Sequence, residues 1–568
     1  MSVRSMTRAA ARDRRRRSRR AGLAAGAAFG AAVVAAPAAQ AATFQVNSRA
    51  DDGDGTCDVT CTLRDAIDDA DADAATDTIT FTSGLTGSIR LTSRLEVYSS
   101  MTIEGPGSDV LAVSGVNNYQ PFYVDASVNG AAGDPVTISG LAIRNGYNSS
   151  GSGGAIYSAD TDLTVRSSLL SGNYADQAGG IYIASGDLTV TGSTIADNDN
   201  DNHSGGGIYF GGTDLVVRDS TISGNYAEDG GGVYLSPGGE SMVIDRSTIT
   251  DNYSADDGGG VGIGDFGVGS AVISDSTISG NDSGSNGGGI YVENDNLRPI
   301  RVINSTVTAN TSVDPSAGIY MNTDNVTAPV TVSSTIVAGN KADSGANDLD
   351  GDGATNVFDV SFSLIGDPST TATLNQTVPG SNLLGVDPQL GPLAANGGPT
   401  RTQLPAATSP VIDAGVANGL LTDQRGLPRT TQQPGANPTG ADGTDIGAVE
   451  LPDTTIDAPS VSAKKTQKQK GKKIKVKVKA GAGEAVTAEA TGKIKSYALK
   501  PATGQVAAGT TKTLTLKPKA KNASKKIAKL LASGKKAKAK IDVKLTDAGG
   551  NTVTEKVVVK LKAQPKKK

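Results

Sequence analysis

The sequence predicts an all-β chain, a right-handed parallel β-helix followed by a small lysine-rich immunoglobulin-like β-sandwich, and three observations predict it. One phrase recurs along the middle of the chain, as Ser168-Leu169-Leu170, Ser193-Thr194-Ile195, Ser220-Thr221-Ile222, Ser247-Thr248-Ile249, Ser276-Thr277-Ile278, Ser305-Thr306-Val307 and Ser334-Thr335-Ile336, with starts 25, 27, 27, 29, 29 and 29 residues apart. A period that drifts while the phrase survives places insertions in turns and keeps strands in register, as a coiled solenoid permits. Composition agrees, because 72 glycines, no tryptophan and 4 % aromatic residues suit short strands and tight turns better than large packed cores. At 568 residues the chain also exceeds what one compact core serves.

The first element, residues 1–41, reads as a signal peptide. Arg14 to Arg17, Arg19 and Arg20 precede an apolar run from Ala21 to Ala36 and then Ala39-Gln40-Ala41, a small-residue cleavage pattern. The run is shorter than the ~20 residues that span a bilayer, so the expected mature chain has no transmembrane segment and is secreted or held at the cell surface. Ser18-Arg19-Arg20 leaves both general secretory and twin-arginine export open.

Residues 42–105 are expected to cap the solenoid and supply its first strands. They hold both cysteines, Cys57 and Cys61. In an exported chain a disulfide between them is the first reading, with free thiols or a metal as the alternatives.

Residues 106–386 are expected to form the coils. Each repeat has a Gly-rich turn entering an alternating strand, as in Gly205-Gly206-Gly207-Ile208-Tyr209-Phe210, then a strand such as Leu215-Val216-Val217-Arg218, then the Ser-Thr-Ile strand. Period-two alternation puts Ile208 and Phe210 on one face and Tyr209 on the other. Aligned coils give a column of Asn173, Asn198, Asn225, Asn252, Asn281 and Asn310, each five residues after its Ser. Stacked at equivalent turns, these amides would form a structural ladder that satisfies turn backbone, with direct ligand binding as the other reading. A second column, Tyr157, Tyr182, Tyr209, Tyr234, Tyr291 and Tyr320, interrupted by Gly262, should face outward. It reads either as aromatic stacking that stiffens one sheet or as a carbohydrate-binding face.

Near the end of the coils, Asp348, Asp350, Asp352, Asn356 and Asp359 occupy positions 1, 3, 5, 9 and 12 of a loop with Gly353 and Gly351 among them, the spacing of a calcium loop. Flanking helices are not indicated, and an acidic turn is the competing reading. Asp51-Asp52-Gly53-Asp54-Gly55 is a weaker instance.

Residues 387–451 are dense in Pro and Gly and predict an irregular wrap closing the far end of the solenoid, with Arg425 pairing Asp445 or Glu450. Residues 452–473 read as a linker. In 474–568, Ile474-Lys475-Val476-Lys477-Val478 alternates as a strand, Ala523 to Leu531 suits a short helix, and Ala539 to Leu545 with Val553 to Leu561 reads as a hairpin.

The net charge of −5 hides a partition: residues 42–463 carry 14 basic and 52 acidic residues, whereas 464–568 carry 30 lysines and five acids. The basic tail lacks arginine and interleaved aromatics, which argues against nucleic acid and for Coulombic attachment to an anionic envelope polymer or membrane surface.

Three stretches resemble known families. Cys61-Thr62-Leu63-Arg64-Asp65-Ala66-Ile67 resembles the CSLREA-type segment of bacterial exported β-helix proteins, departing at Thr62 and Asp65. That resemblance implies a short amphipathic helix from Ala66 toward Asp73 covering the first coil. The Gly-Gly-Gly-Ile-Tyr repeats are similar to those of pectin-lyase-fold proteins and polymorphic outer-membrane-protein repeats. Asp387-Pro388-Gln389-Leu390-Gly391-Pro392-Leu393, Asn396-Gly397-Gly398-Pro399-Thr400, Ser409-Pro410-Val411-Ile412-Asp413-Ala414-Gly415, Asp423-Gln424-Arg425-Gly426 and Asp445-Ile446-Gly447-Ala448-Val449-Glu450 resemble the choice-of-anchor Q domain. Its members precede a surface-anchoring device, and here the lysine module follows instead.

Fold resemblance does not settle function. A calcium-dependent polysaccharide lyase would need acids around Ca²⁺ beside a base, for which Arg166, Arg218 and Arg246 are candidates, but with His203 and Lys341 the sole histidine and lysine of 42–463, bases are few. The leading expectation is a non-enzymatic surface or matrix protein serving adhesion or polysaccharide binding, with no catalytic residues assigned. A structural spacer is the third reading.

Overall fold

A computed structural model describes residues 41–568 apart from 74, 265–268, 294–297, 323–327, 346, 430–439, 453–455, 457–458, 470–472, 482–484, 548–549 and 564–568. The proposed signal peptide thus lies outside the described residues but for Ala41.

Three parallel ladders run the length of the solenoid. The first face has 13 strands from Thr43–Val46 to Thr373–Gln376, the second 12 from Gly87–Arg90 to Leu383–Leu384, and the third ten from Leu95–Val97 to Leu349–Gly351. One coil shows the plan: Asp214–Arg218 lies on the first face, Thr221–Ser223 on the second and Val233–Leu235 on the third, after which Ser241–Asp245 returns to the first. Between second and third faces a fourth, short ladder runs from Tyr226–Ala227 to Lys341–Ala342.

Alternation explains the core. On the first face Leu163, Leu188, Leu215, Met242, Ala271, Ile300, Val330 and Phe358 stack in register, and on the third Ile181, Ile208, Val233, Val261, Ile290, Ile319 and Leu349 do so. All are buried, while Tyr209, between buried Ile208 and Phe210, points out half-exposed. No coil could bury this stripe alone, so stacking supplies the driving force.

The repeat phrase holds register until the last coil. There Thr306 pairs with Ile336, so Thr335, not Ser334, takes the place of Ser305. Ser334 instead sits in the left-handed turn position at φ 50°, in line with Asp219, Arg246, Asp275 and Asn304.

At the N-terminal end the helix Leu63–Ala70 buries Leu63, Ala66, Ile67 and Ala70 in the solenoid core. It begins three residues before the sequence-based expectation, because Thr62 and Asp65 form a capping box: Asp65 N donates to Thr62 Oγ1 at 3.1 Å and Thr62 N to Asp65 Oδ2 at 3.0 Å. The disulfide Cys57–Cys61 pins the loop before it.

The described residues of 387–451 lie along the outer surface of the second face, where Thr194 and Thr221 are half-exposed but the next three threonines of the column, Thr248, Thr277 and Thr306, are buried. The covering stretch holds by side chains that reach the sheet: Gln424 Nε2 donates to Ser247 O and Thr248 Oγ1 at 3.0 Å, Thr277 Oγ1 donates to Gln424 Oε1 at 2.6 Å, and Ala448 N donates to Thr306 Oγ1 at 3.1 Å. Val411, Ala414 and Ile446 pack on Ile336, Ala338 and Leu364. Arg425 pairs with Asp423 at 2.8 Å and donates to the backbone oxygen of Glu450, while the buried Arg429 pairs with Asp275.

The C-terminal β-sheet region has its own core and starts before 474, since Ser460–Ser462 and Thr466–Gln469 are strands of it. Its nine strands form one connected set, with the helix Ala523–Ala532 packed on it. The hairpin Ala537–Thr546 with Thr552–Ala563 pairs Ala539 with Val559.

Candidate functional site

Three arrangements carry the residues singled out in the sequence. The first is internal. Nδ2 of Asn173 donates to Oδ1 of Asn198 at 2.8 Å, and the bond repeats from Asn198 to Asn225, Asn225 to Asn252, Asn252 to Asn281 and Asn281 to Asn310 at 2.8–2.9 Å. Each Nδ2 also donates to a backbone carbonyl of the preceding coil, such as Asn225 to Ile195 O at 3.1 Å, and from Asn198 onward each Oδ1 also accepts the backbone N–H of the preceding ladder asparagine, as Asn252 does from Asn225 at 3.0 Å. From Asn198 to Asn310 both amide hydrogens and both acceptor positions of these buried side chains are used, the bonding of a structural ladder. The ladder continues beyond the sequence-derived set: Asn310 donates to Asn340 at 2.8 Å, and Asn340 to Asp348 Oδ1 at 2.8 Å. The one-residue slip at Thr335 moved Asn340 out of the expected spacing, and reading "five after Thr335" would have found it.

The five residues of the calcium-loop reading are not brought together. Asp348 ends the amide ladder and accepts Asp367 N at 2.6 Å; burial pushes its carboxyl up to about 6. Asp350 accepts from Thr371 at 2.7 Å, Asp352 accepts from Tyr320 Oη, and Asp359 accepts from Asn375 at 2.6 Å. Asn356 is buried between the strands Leu349–Gly351 and Val357–Ser361, which belong to different faces and pull the sequence loop apart. Among the described residues no group of three or more His, Cys, Asp or Glu side chains is placed to hold a metal ion.

The second arrangement is the tyrosine column of the third face. Tyr123, which shares the apolar-Tyr-apolar pattern in Phe122-Tyr123-Val124, heads it. Tyr123, Tyr157, Tyr182, Tyr209 and Tyr234 stack with centroids 4.7–5.8 Å apart and interplanar angles of 4–28°. Tyr291 and Tyr320 stack at 6.1 Å. At the interruption, a Cβ on Gly262 would stand 2.8 Å from Tyr234 Cδ2, so the leaning ring of Tyr234 occupies the space a side chain would need. Ring faces are therefore turned on one another; Tyr157, Tyr182, Tyr209, Tyr234 and Tyr291 are half-exposed, whereas Tyr320, expected to face outward, is buried. Burial raises Tyr182 to about 12, and burial together with neighbouring acids raises Tyr234, Tyr291 and Tyr320, so these hydroxyls stay protonated; that of Tyr320 donates to Asp352 and that of Tyr291 accepts from Asn322. A shorter second column stacks Tyr147 on Tyr174 and Tyr226 on Tyr253 at 5.2–5.3 Å; all but Tyr147 directly follow ladder asparagines, as Asn173-Tyr174, Asn225-Tyr226 and Asn252-Tyr253.

The arginines considered for a lyase sit in ion pairs: Arg166 with Glu104 at 3.2 Å, Arg218 with Asp245 at 2.9 Å, and Arg246 with both Asp219 and Asp245 at 2.8 Å. His203 lies 3.7 Å from Asp176 at the surface.

The third arrangement is cationic. In the C-terminal region the strands Ile474–Lys479 and Ala537–Thr546 alternate buried and exposed, and the lysines take the exposed positions. Their apolar partners fill the interior, so the sheet presents ammonium groups without burying charge.

Comparison with curated proteins and with solved structures gave no match. A family model described as "Right handed beta helix region" matches residues 125–296 and 204–359, and together with the three parallel ladders it makes the central part of this chain a right-handed β-helix.

Proposed function

We propose that this chain is an exported, non-enzymatic surface or matrix protein in which the β-helix is a rigid displayed rod and the lysine module attaches it to an anionic polymer of the envelope or matrix. The charge partition carries the reading: 30 lysines against five acids in 464–568, set beside 14 basic and 52 acidic residues in 42–463. Such a module is attracted to polyanions over a Debye length of about 10 Å at 0.1 M salt, while the acidic rod is repelled from them and stands off. The tyrosine face is assigned a stiffening role, because ring faces spent on stacking cannot also lie against a sugar.

Binding of the full chain and of a chain ending at Glu450 to isolated cell envelopes across a salt series tests this. Binding by the full chain alone, released by salt, supports it; equal binding by both refutes it. New ultraviolet absorbance from unsaturated uronates on incubation with uronate polymers and Ca²⁺ would instead establish the lyase reading.

A further inference from the structure

The strand set of the C-terminal region has a seam. Thr466–Gln469 ends the set, pairing in parallel with Lys560 to Ala563 of the last strand. At the other end Ile474–Lys479 pairs with Thr511–Pro518, and on its opposite edge Ser460–Ser462 covers only Lys477 to Lys479. Beside Lys475 no strand among the described residues continues the ladder. Instead the Gln467 side chain takes a strand's place: its Nε2 donates to Lys475 O at 2.7 Å, and Lys475 N donates to its Oε1 at 3.1 Å. An amide side chain can copy the donor and acceptor of one peptide unit, so the two strand ends are joined while a groove stays open along them.

That groove has a volume of about 1120 Å³ and is lined by Lys464, Lys468, Lys473, Lys475, Lys477 and Lys562, with no carboxylate among its described lining residues. Lys475 and Lys477 project from one face of an extended strand, roughly 7 Å apart by the two-residue repeat. Lys464 and Lys468 belong to the segment on the other side of the seam and Lys562 to the last strand. The ammonium groups of Lys464, Lys468, Lys475, Lys477 and Lys562 around one elongated trough repel each other less when a line of negative charge lies between them. The module has no arginine, the usual bidentate partner of carboxylate and phosphate alike; its lysines meet phosphate as compact point charges with three rotatable donors, which suits a chain of repeated charges rather than one oriented group.

We propose that this seam is the binding site of a linear, phosphate-bearing polymer; the proposal rests on the attachment reading above and names its site and ligand class. The polymer lies along the groove with successive phosphates between the two lysine rows, and Gln467 holds the groove open by joining its walls without a covering strand.

The test titrates the full chain with labelled inorganic polyphosphate at fixed low salt. Replacing Lys468, Lys475 and Lys477 together by Gln is expected to weaken binding at least tenfold, while replacing Lys521, Lys525 and Lys526 near the helix by Gln changes it less than threefold. Substitution of the three seam lysines by Arg should preserve binding. In the unmodified chain, polyphosphate should protect Lys468, Lys475 and Lys477 from an amine-reactive reagent and leave Lys525 reactive, a readout that needs no variant to fold. Equal weakening by both glutamine triples, or uniform protection, overturns the seam while leaving electrostatic attachment standing. Binding of polygalacturonate or single-stranded DNA in preference to polyphosphate overturns the ligand class. Failure to bind any of these polyanions, or envelopes, overturns both readings.

Discussion

Asn225 shows how much one buried amide holds in this molecule. Its Oδ1 accepts from Asn198 Nδ2 at 2.9 Å and from Asn198 N at 3.1 Å, and its Nδ2 donates to Asn252 and to Ile195 O. Asn225→Ala would strand two donors and a carbonyl in a dry interior, and at 1–3 kcal/mol for an unsatisfied group the expected loss is about 3–5 kcal/mol, read as a lowered denaturation midpoint. Ala309 illustrates the opposite sign. It stands at φ 56° in the turn before Asn310, where the coils on either side place Gly280 and Gly339. Because a left-handed conformation costs a Cβ-bearing residue roughly 1–2 kcal/mol, Ala309→Gly should stabilise the protein by about 1 kcal/mol in the same assay.

At the scale of elements, the turn entering the third face stacks carboxylates. Asp257 N donates to Asp229 Oδ1 at 3.3 Å and Asn286 N to Asp257 Oδ1 at 2.9 Å, so two acids and an amide share one column. Burial raises Asp229 to about 6 and raises Asp257 as well. Converting both to Asn, the residue already present at the next coil, should stabilise the protein near pH 8 by about 1 kcal/mol, the size of a like-charge pair across strands. Burial likewise raises Asp71 and Asp275 to about 7 and Asp348 to about 6. A carboxyl whose folded pKa exceeds its unfolded value of about 3.9 binds protons more tightly when folded, so stability is gained as pH falls through the folded pKa and is complete below the unfolded one. Melting temperature should therefore be higher at pH 5.5 than at pH 8, and a scan over that interval checks it. The lowered carboxyls Asp65, Glu96 and Asp367 act in reverse, and their stabilisation is lost on further acidification.

At the scale of the β-helix and its covering stretch, Arg429 is the main polar tie. It is buried at 4 % exposure, pairs with buried Asp275 and donates to Gly447 O at 3.0 Å, joining the covering stretch to itself and to the second face. Removing one member of a buried pair costs about 3–5 kcal/mol, so Arg429→Gln should free residues 387–451 to cleavage by limited proteolysis while the inner coils remain protected. The protease-resistant fragment, mapped by mass, checks this.

What the sequence determined by itself is what lies within one coil. Alternation, the Gly and Asn turns, the half-exposed tyrosines from Tyr157 to Tyr291 and the hairpin Ala537–Thr546 with Thr552–Ala563 follow from neighbours two to five residues apart, because strand period and turn dihedrals are local properties. Tertiary structure alone decided what joins positions a coil or more apart. The slip that puts Thr335 in line with Ser305 was set by pairing Ile336 with Thr306, since register is fixed by which side chains fill the interior rather than by the phrase itself. The course of 387–451 along the second face was set by contacts such as Gln424 to Thr277, which no local pattern encodes. The residues of the calcium-loop spacing are parted for the same reason: Asp350 and Asp359 are close in sequence, but the solenoid assigns their strands to different faces. The seam bridged by Gln467 also appears only when two strand ends meet in space.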